Sequence, residues 1–586
     1  MELLQTLVLI IIVLLIVSLY KGFLNPSLTF FIAALALLLI GAITPSDLLK
    51  GLSNEQIILI FLLMLVTAGI RAIYGGDLFS SLFNVKLTPK RFLMRMMLFV
   101  SSISAFLNNT PIVAFMIPYV KDWADRTGNP ASKFLMPLSF ATILGGMITV
   151  IGTSANLVLN GLIQQYNLPL LTFTDFLFLG IMVTIAGWIY LYFIGFNLLP
   201  KHEDQIEALR QNVKEYIVET EVFTGSKLIG KTIKEAGLRN LKDVFLIEIL
   251  RNDEVISPVS PEMELQENDF LFFSGNKQSI YKLIKEDNGL QIPKQRDLGT
   301  EGEFNFAEAV VPANSELIGR RIKDSDFRRR YNASIIAIHR DGKLVSGKVG
   351  EMKLNGGDFL LLLSDGQEWS STKQSDLFFI SVPTRLNSKK SVMQHWFGIL
   401  SILLLISGIV GLFPLFSVSL ALVAAMVMVR VLNISELKTE IDLSLLMVLV
   451  ASLAIGTALE KTGTALLIAN ALISVSKGFG PVAVLTSLFV VTTLLTAFIT
   501  NTATIALVFP IAMSVAAQMH LDYAPFFVAT AFAASGDFMT PFGYQCNLMV
   551  YGPGGYSFKD FFKVGFPFTV LYTVICVSFI STYYHL

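Results

Sequence analysis

Two stretches nearly four hundred residues apart constrain this chain more than any other feature: FLNNTPIVAFMIPY at 106–119 and FITNTATIALVFPI at 498–511. They set Asn109 on Asn501, Thr110 on Thr502 and Pro118 on Pro510, each pair 392 positions apart. Two further blocks keep the order: ANLVLNG (155–161) matches CNLMVYG (546–552) at an offset of 391, and TFTDFLFLG (172–180) matches SFKDFFKVG (557–565) at 385. Self-similarity of this kind means two copies of one structural unit. The copies are apolar. Runs at 3–20, 28–43, 57–74, 174–199, 396–413, 415–433, 442–459 and 561–584 approach or exceed the length that crosses a hydrocarbon layer of about 30 Å. The first run has no basic stretch before it and reads as a retained helix rather than a signal peptide.

Charge is concentrated elsewhere. Residues 201–390 hold 58 of the 88 charged side chains, which marks a soluble insert between two membrane halves. Net charge is zero and the only compact basic run is Arg328–Arg330, so nucleic-acid binding has no electrostatic footing. The two cysteines, Cys546 and Cys576, build no disulfide framework, and none of the five histidines lies mid-span. The membrane core also lacks a nucleophile-base or metal constellation, so the chain does not read as an enzyme, and no organic cofactor is called for.

Each half reads as three ordinary spans, a segment broken at Asn-Asn-Thr or Thr-Asn-Thr, a span interrupted by Gly, Thr and Pro, and a final span. With the first break as a re-entrant hairpin there are five crossings per half, and an odd number inverts the second copy. Under this scheme Lys86, Lys90, Arg91, Arg95, Lys121, Arg126, Lys133, Lys201, Lys389, Lys390, Arg430, Lys438, Lys559 and Lys563 share one side, against Lys50, Lys461 and Lys477 on the other. The positive-inside rule then makes the insert cytoplasmic and both termini external, in a cell (inner) membrane.

Irregular backbone at membrane depth is tolerated where it is buried in protein or lines a wet cavity. The hairpin tips, Asn108-Asn109-Thr110 and Thr500-Asn501-Thr502, and the breaks at 152–156 and 536–543 are four such places. Amide, hydroxyl and freed carbonyl oxygens suit a hard cation, while helix N-termini and side-chain donors suit an anion. Asp537 is the one acidic residue deep in a break. It is either a cation ligand or a charge satisfied by neighbouring backbone amides.

These residues resemble the divalent anion/sodium symporters, whose signature is Ser-Asn-Thr at each of two hairpin tips, and the likeness covers nearly all of 1–200 and 390–586. The resemblance implies an elevator-type carrier and a homodimer. It implies one sodium site at Ser104, Asn108, Asn109 and the Gly152 backbone, and a second at Thr496, Thr500, Asn501 and backbone near Met539. Substrate would lie among Asn109, Thr110, Thr153, Asn501, Thr502 and Thr540. Both signature serines are changed, to Asn108 and Thr500, and the second break is the extended TPFGYQCNLMVYGPGGY, which looks more like the sulfate-permease branch. No Arg or Lys occupies a tip, so the expected substrate is a small tetrahedral oxyanion, sulfate first, ahead of a dicarboxylate. An anion exchanger and an anion sensor acting through the insert remain the alternatives.

The insert is itself duplicated at an offset of 89. Gly230 matches Gly319, Arg251 matches Arg340, and Asp269-Phe270-Leu271 matches Asp358-Phe359-Leu360. Runs such as VFLIEIL (244–250) and SIIAIHR (334–340) predict short strands, hence two small α+β domains at 205–292 and 300–383, between membrane repeats 1–200 and 390–586. They are similar to the C-terminal regulatory domains of potassium-conductance regulators (TrkA-C or RCK-C domains). That likeness implies either a dimer-holding role or a small cytosolic ligand, with a cyclic dinucleotide as the candidate.

Overall fold

The computed structural model describes residues 2–21, 24, 26–74, 86–202, 217–238, 241, 244–251, 254–256, 259–275, 289–291, 305–312, 315–325, 327–331, 333–341, 343–345, 349–364, 377–379, 392–432, 443–476 and 479–586. The domain limits expected at 205, 292, 300, 383 and 390, and Lys389, Lys390, Lys438 and Lys477, lie outside these. The chain forms two units. One comprises Met1–Lys201, Val382–Tyr551 and Tyr556–Leu586, and the other His202–Ser381 with Gly552–Gly555.

The first unit is helical. Its first half runs α1 (Glu2–Lys21), α2 (Pro26–Leu39), α3 (Pro45–Leu49), α4 (Glu55–Tyr74), α5 (Pro89–Ser104), α6 (Asn109–Thr127), α7 (Leu135–Gly146), α8 (Ser154–Gln165) and α9 (Phe173–Tyr190), the last continued by a π-helical turn at Leu191–Gly195. Its second half runs α10 (Val392–Ile409), α11 (Leu415–Met428), α12 (Leu443–Lys461), α13 (Thr464–Val475), α14 (Gly480–Thr496), α15 (Asn501–Met519), α16 (Ala524–Ser535), α17 (Gln545–Tyr551) and α18 (Phe558–Tyr583). Among the described residues four helices are long and apolar enough to cross a membrane, within Glu2–Leu19, Phe173–Leu198, Asn501–Met519 and Phe558–Tyr583. A fifth arises if Leu446–Lys461 and Thr464–Val475, bent by 72°, form one span. Such a set fits a multi-pass membrane protein. Five crossings per half are not reached by helix length among the described residues, because α7, α8 and α16 have 12 residues each, about 18 Å of helix. The breaks between α7 and α8 and between α16 and α17 divide the spans.

The third repeated block acquires a structural meaning. Thr172 N donates to Asp175 Oδ2 at 2.7 Å at the start of α9, and Ser557 N donates to Asp560 Oδ2 at 2.8 Å at the start of α18. Both are capping boxes, in which N-cap hydroxyl and N3 carboxylate satisfy otherwise orphaned amides. Seven residues into each helix, a glycine presses on the backbone of the preceding break. A Cβ at Gly180 would lie 2.6 Å from Ile148 Cα, and one at Gly565 only 1.8 Å from the Phe538 carbonyl oxygen. Around the second contact Phe140, Phe538, Phe568 and Tyr572 interlock, with Phe140 and Phe538 ring centroids 5.0 Å apart.

The second unit holds two five-stranded antiparallel sheets. The first contains β1 (Ile217–Val222), β2 (Val244–Arg251), β3 (Glu254–Ile256), β4 (Phe270–Gly275) and β5 (Leu290–Gln291), ordered β3-β2-β4-β1-β5. The other contains β6 (Asn305–Val310), β7 (Ala333–Arg340), β8 (Lys343–Leu344), β9 (Phe359–Ser364) and β10 (Phe378–Phe379), ordered β10-β6-β9-β7-β8. The offset of 89 persists in the pairing. Ile217 faces Ser274 as Phe306 faces Leu363, and β2 shifts register between Leu246 and Glu248 as β7 does between Ile335 and Ala337. Repeated Arg and Asp form the same clip. Arg251 Nε donates to Asp269 Oδ1 and Arg340 Nε to Asp358 Oδ1, both at 2.7 Å, and each guanidinium also reaches a carbonyl, Glu264 O or Lys353 O, at 2.8 Å. The buried carboxylates hold both guanidinium groups above their ordinary pKa. Arg340→Ala strands the buried Asp358 and is expected to destabilise its sheet by about 2–3 kcal/mol. Hydrogen exchange in β7 and β9 of the full chain should then accelerate roughly 30-fold or more, and unchanged protection would show the clip to be dispensable.

Candidate functional site

The two hairpin elbows carry the same hydrogen-bond pattern. At the end of α5, Ser104 Oγ lies 2.6 Å from Asn109 Oδ1 and 2.8 Å from Thr142 O. At the end of α14, Thr496 Oγ1 lies 3.1 Å from Asn501 Oδ1 and 2.7 Å from Ala534 O. All three members are displaced by 392. Each hydroxyl has one proton for two acceptors, so each elbow gathers three oxygens around one hydroxyl hydrogen. A hard cation satisfies such a set better than the lone proton does. Ser104, Thr496 and Asn109 are buried, and Asn501 is half-buried. Gly146 is required beside the first cluster, because a Cβ there would stand 2.6 Å from Asn109 Oδ1.

The breaks repeat as well, without a gap, at an offset of 391. Thr149 Oγ1 donates to Ala105 O and Thr540 Oγ1 to Ala497 O, so each break is pinned to its own hairpin. Asn156 Nδ2 donates to Thr149 O at 3.2 Å, as Asn547 Nδ2 donates to Thr540 O at 3.0 Å. The structural counterpart of Thr540 is therefore Thr149, that of Gly152 is Gly543, and that of Thr153 is Tyr544. Asp537 takes the place of Gly146. It is 1% exposed, with Thr540 N 3.3 Å from Oδ1 and Thr540 Oγ1 3.0 Å from Oδ2. Its backbone oxygen accepts from Asn547 Nδ2 at 2.8 Å.

Contacts between the halves are unequal. Asn109 Nδ2 donates to Tyr544 Oη at 2.5 Å, and Thr110 Oγ1 donates to Gln545 Oε1 at 3.0 Å. The first tip thus meets the second break. The hydrogen bonds described for Asn501 and Thr502 stay in their own half, to Thr496 and Thr500. Ser139 Oγ of α7 donates to Asn547 Oδ1 at 2.7 Å, whereas the buried Asn156 Oδ1 has no hydrogen-bond partner among the described residues. The residue of α16 matching Ser139 is Ala531, which has no hydroxyl to offer.

Thr500 caps α15 by accepting from Ala503 N, and Thr153 caps α8 by accepting from Asn156 N. Gly152 N donates to Thr149 Oγ1 at 3.1 Å, and Met539 is buried. Asn108 makes no cap bond. It lines a mostly apolar cleft with Met64, Thr67, Ile151 and Ser154, away from the Ser104 cluster. Among the described residues no group of three or more His, Cys, Asp or Glu could hold a metal ion, so a cation here would rest on neutral oxygens and at most one carboxylate. Sequence reasoning missed Thr149, Gly543, Tyr544, Gln545 and Ser139. Extending the 391 offset backward from Asn156 and Asn547 was the signal for the first three.

Comparison with known proteins agrees with a membrane carrier. A family model described as citrate transporter matches residues 7–485 and again 402–585. A Chlamydomonas reinhardtii protein whose name describes a regulator of the sulfur deprivation response is 33% identical, over 96% of this chain and 99% of its own. An uncharacterised transporter of Synechocystis sp. is 32% identical, over 93% and 92%. Sodium/sulfate cotransporter 2 of Chlamydomonas reinhardtii is 24% identical, over 92% and 85%.

Proposed function

This chain belongs to the citrate transporter family, and on that premise we propose that it is a sodium-coupled symporter of a small divalent anion, with sulfate as the favoured substrate. The observation that carries the reading is the repeated three-oxygen cluster, Ser104–Asn109–Thr142 and Thr496–Asn501–Ala534, in each of which one hydroxyl proton faces two acceptors. Two such clusters at matched positions give two places for Na⁺, with Gly152, Thr500, Asn108 and Met539 as further candidates in the surrounding loops. Asp537 adds a carboxylate close to the second. The anion would use Asn109, Thr110, Thr153, Asn501, Thr502 and Thr540, without help from Lys or Arg. Sulfate is supported by the name of a relative, and citrate or another carboxylate by the name of the family.

The reading extends to the whole assembly. The halves act as inverted repeats of five crossings with re-entrant hairpins. The insert lies in the cytoplasm and both termini outside a cell membrane, and two copies form a dimer. The chain works as an elevator-type carrier and not as an enzyme. The paired α+β domains help hold the dimer together or bind a small cytosolic ligand that biases the cycle.

The test is uptake of labelled sulfate into proteoliposomes containing the full chain, with and without an inward sodium gradient, with citrate and succinate as competitors. Sodium-driven accumulation indifferent to both competitors is expected. Inhibition by either moves the substrate to carboxylates, and uptake without sodium dependence makes the chain an exchanger. Deleting 205–385 behind a short linker should leave a folded membrane unit with sodium-driven uptake. Failure to recover it folded would make the insert structural.

A further inference from the structure

We infer that Tyr544 and Gln545 form, with Asn109 and Thr110, a donor-rich anion subsite that selects a fully deprotonated tetrahedral oxyanion against hydrogen phosphate. The inference deepens the symport reading and rests on it for the presence of an anion at the tips.

The bonds between first tip and second break run in one direction. Asn109 Oδ1 accepts from Ser104, Tyr544 Oη accepts from Asn109 Nδ2, and Gln545 Oε1 accepts from Thr110 Oγ1. Thr110 also engages the Cys546 thiol. Each acceptor oxygen therefore already accepts one hydrogen bond within the quartet. Left over are the Tyr544 hydroxyl proton, the second hydrogen of Asn109 Nδ2 and both hydrogens of Gln545 Nε2, for none of which the structure describes an acceptor. Tyr544 is 8% exposed while Thr110 and Gln545 are half-buried, so the donors lie at the edge of the packed region, within reach of a solute.

The matched positions in the first half are Thr153 and Ser154, short side chains, and Thr153 is turned inward to cap α8. The subsite is thus present once, on one side of the pseudo-repeat. Neutral donors bind sulfate or selenate through every oxygen. Hydrogen phosphate brings an O–H that here would face mainly donors, with only the second lone pairs of oxygens already hydrogen-bonded to receive it, and a poorly matched buried donor is penalised as a weakened hydrogen bond is.

Binding of labelled sulfate to the purified full-length protein in sodium, with unlabelled selenate and phosphate as competitors at neutral pH, tests this directly, and proteoliposome uptake runs beside it. Selenate should compete with sulfate and phosphate should not. Tyr544→Phe should weaken sulfate binding about tenfold, and Gln545→Glu, which turns a donor into an acceptor, by more than tenfold. The shift of thermal unfolding by sodium should be retained in both, which separates a lost subsite from a lost fold. Wild-type sulfate affinity in both variants, or phosphate competing as well as selenate, overturns the inference and leaves symport standing. Binding with these variant losses but without sodium-driven flux overturns symport and leaves the subsite standing. Absence of any sulfate or selenate binding to the wild type removes both.

Discussion

Alanine at Asn109 or at Asn501 is expected to bring sodium-driven anion uptake to background while the protein remains folded. Each asparagine contributes an oxygen to a three-oxygen cluster and stands at the first helical position after a hairpin tip. Losing one oxygen ligand of a bound cation removes an interaction with a charge, about 1.5–3 kcal/mol, and so weakens sodium binding roughly 10- to 100-fold. On the proposed reading coupling needs both sites filled, so either substitution alone should stop accumulation. The consequences for folding should differ. Asn109 also ties the halves together through Tyr544, whereas the bonds described for Asn501 stay in its own half. Asn501→Ala is therefore the cleaner variant, with a melting temperature close to that of the wild type. Sodium-dependent uptake at wild-type rates in both would rule out the tip clusters as cation sites.

Asp537 should give the second large effect, and two substitutions separate its two roles. Asp537→Ala strips the carboxylate from a fully buried position where Thr540 N and Thr540 Oγ1 turn toward it. Unpaired donors inside the protein should reduce stability by about 2–4 kcal/mol. Asp537→Asn keeps the shape and one oxygen but removes the charge. If the carboxylate serves the second cation, the asparagine variant folds normally and requires at least tenfold more sodium for half-maximal uptake. If the carboxylate only caps the break, its sodium dependence is that of the wild type. The elements around it, α7, α14, α15, α16 and α17, contain no charged residue at all, and the charges near the start of α18 are Lys559, Asp560 and Lys563. An ionised carboxylate in such surroundings is costly unless a cation accompanies it.

Much of this was legible in the sequence because duplication leaves marks that single motifs do not. Asn109 and Asn501 were found as a pair, and so were Gly180 and Gly565, Arg251 and Arg340, and Asp269 and Asp358. In each case the structure gives both members the same bonds or the same close contact. The TFTD and SFKD blocks showed as a match, but their purpose, a capping box, becomes visible once the helix start is known. Tyr544 and Gln545 were hidden for a physical reason. Their partners are 435 positions away, in the other half, and no local pattern marks a cross-half hydrogen bond. Helix lengths were read too generously at 28–43 and 415–433, whose helices end at Leu39 and Met428, since an apolar run says nothing about where a helix will stop.

The replacement of Gly146 by Asp537 in the second copy also bears on membrane voltage. Two sodium ions balance one divalent anion, so on the proposed reading the loaded transport core carries only the charge of Asp537. If sodium and anion leave together, the buried carboxylate of the returning core takes up a proton, because an unaccompanied charge there is costly. The loaded journey then senses the electric field, each elementary charge moving through 100 mV being worth about 2.3 kcal/mol. A carrier with glycine at both positions would move without sensing it. Asp537→Asn should therefore flatten the dependence of turnover on membrane potential, readable as a loss of pre-steady-state charge movement in patched or planar bilayers.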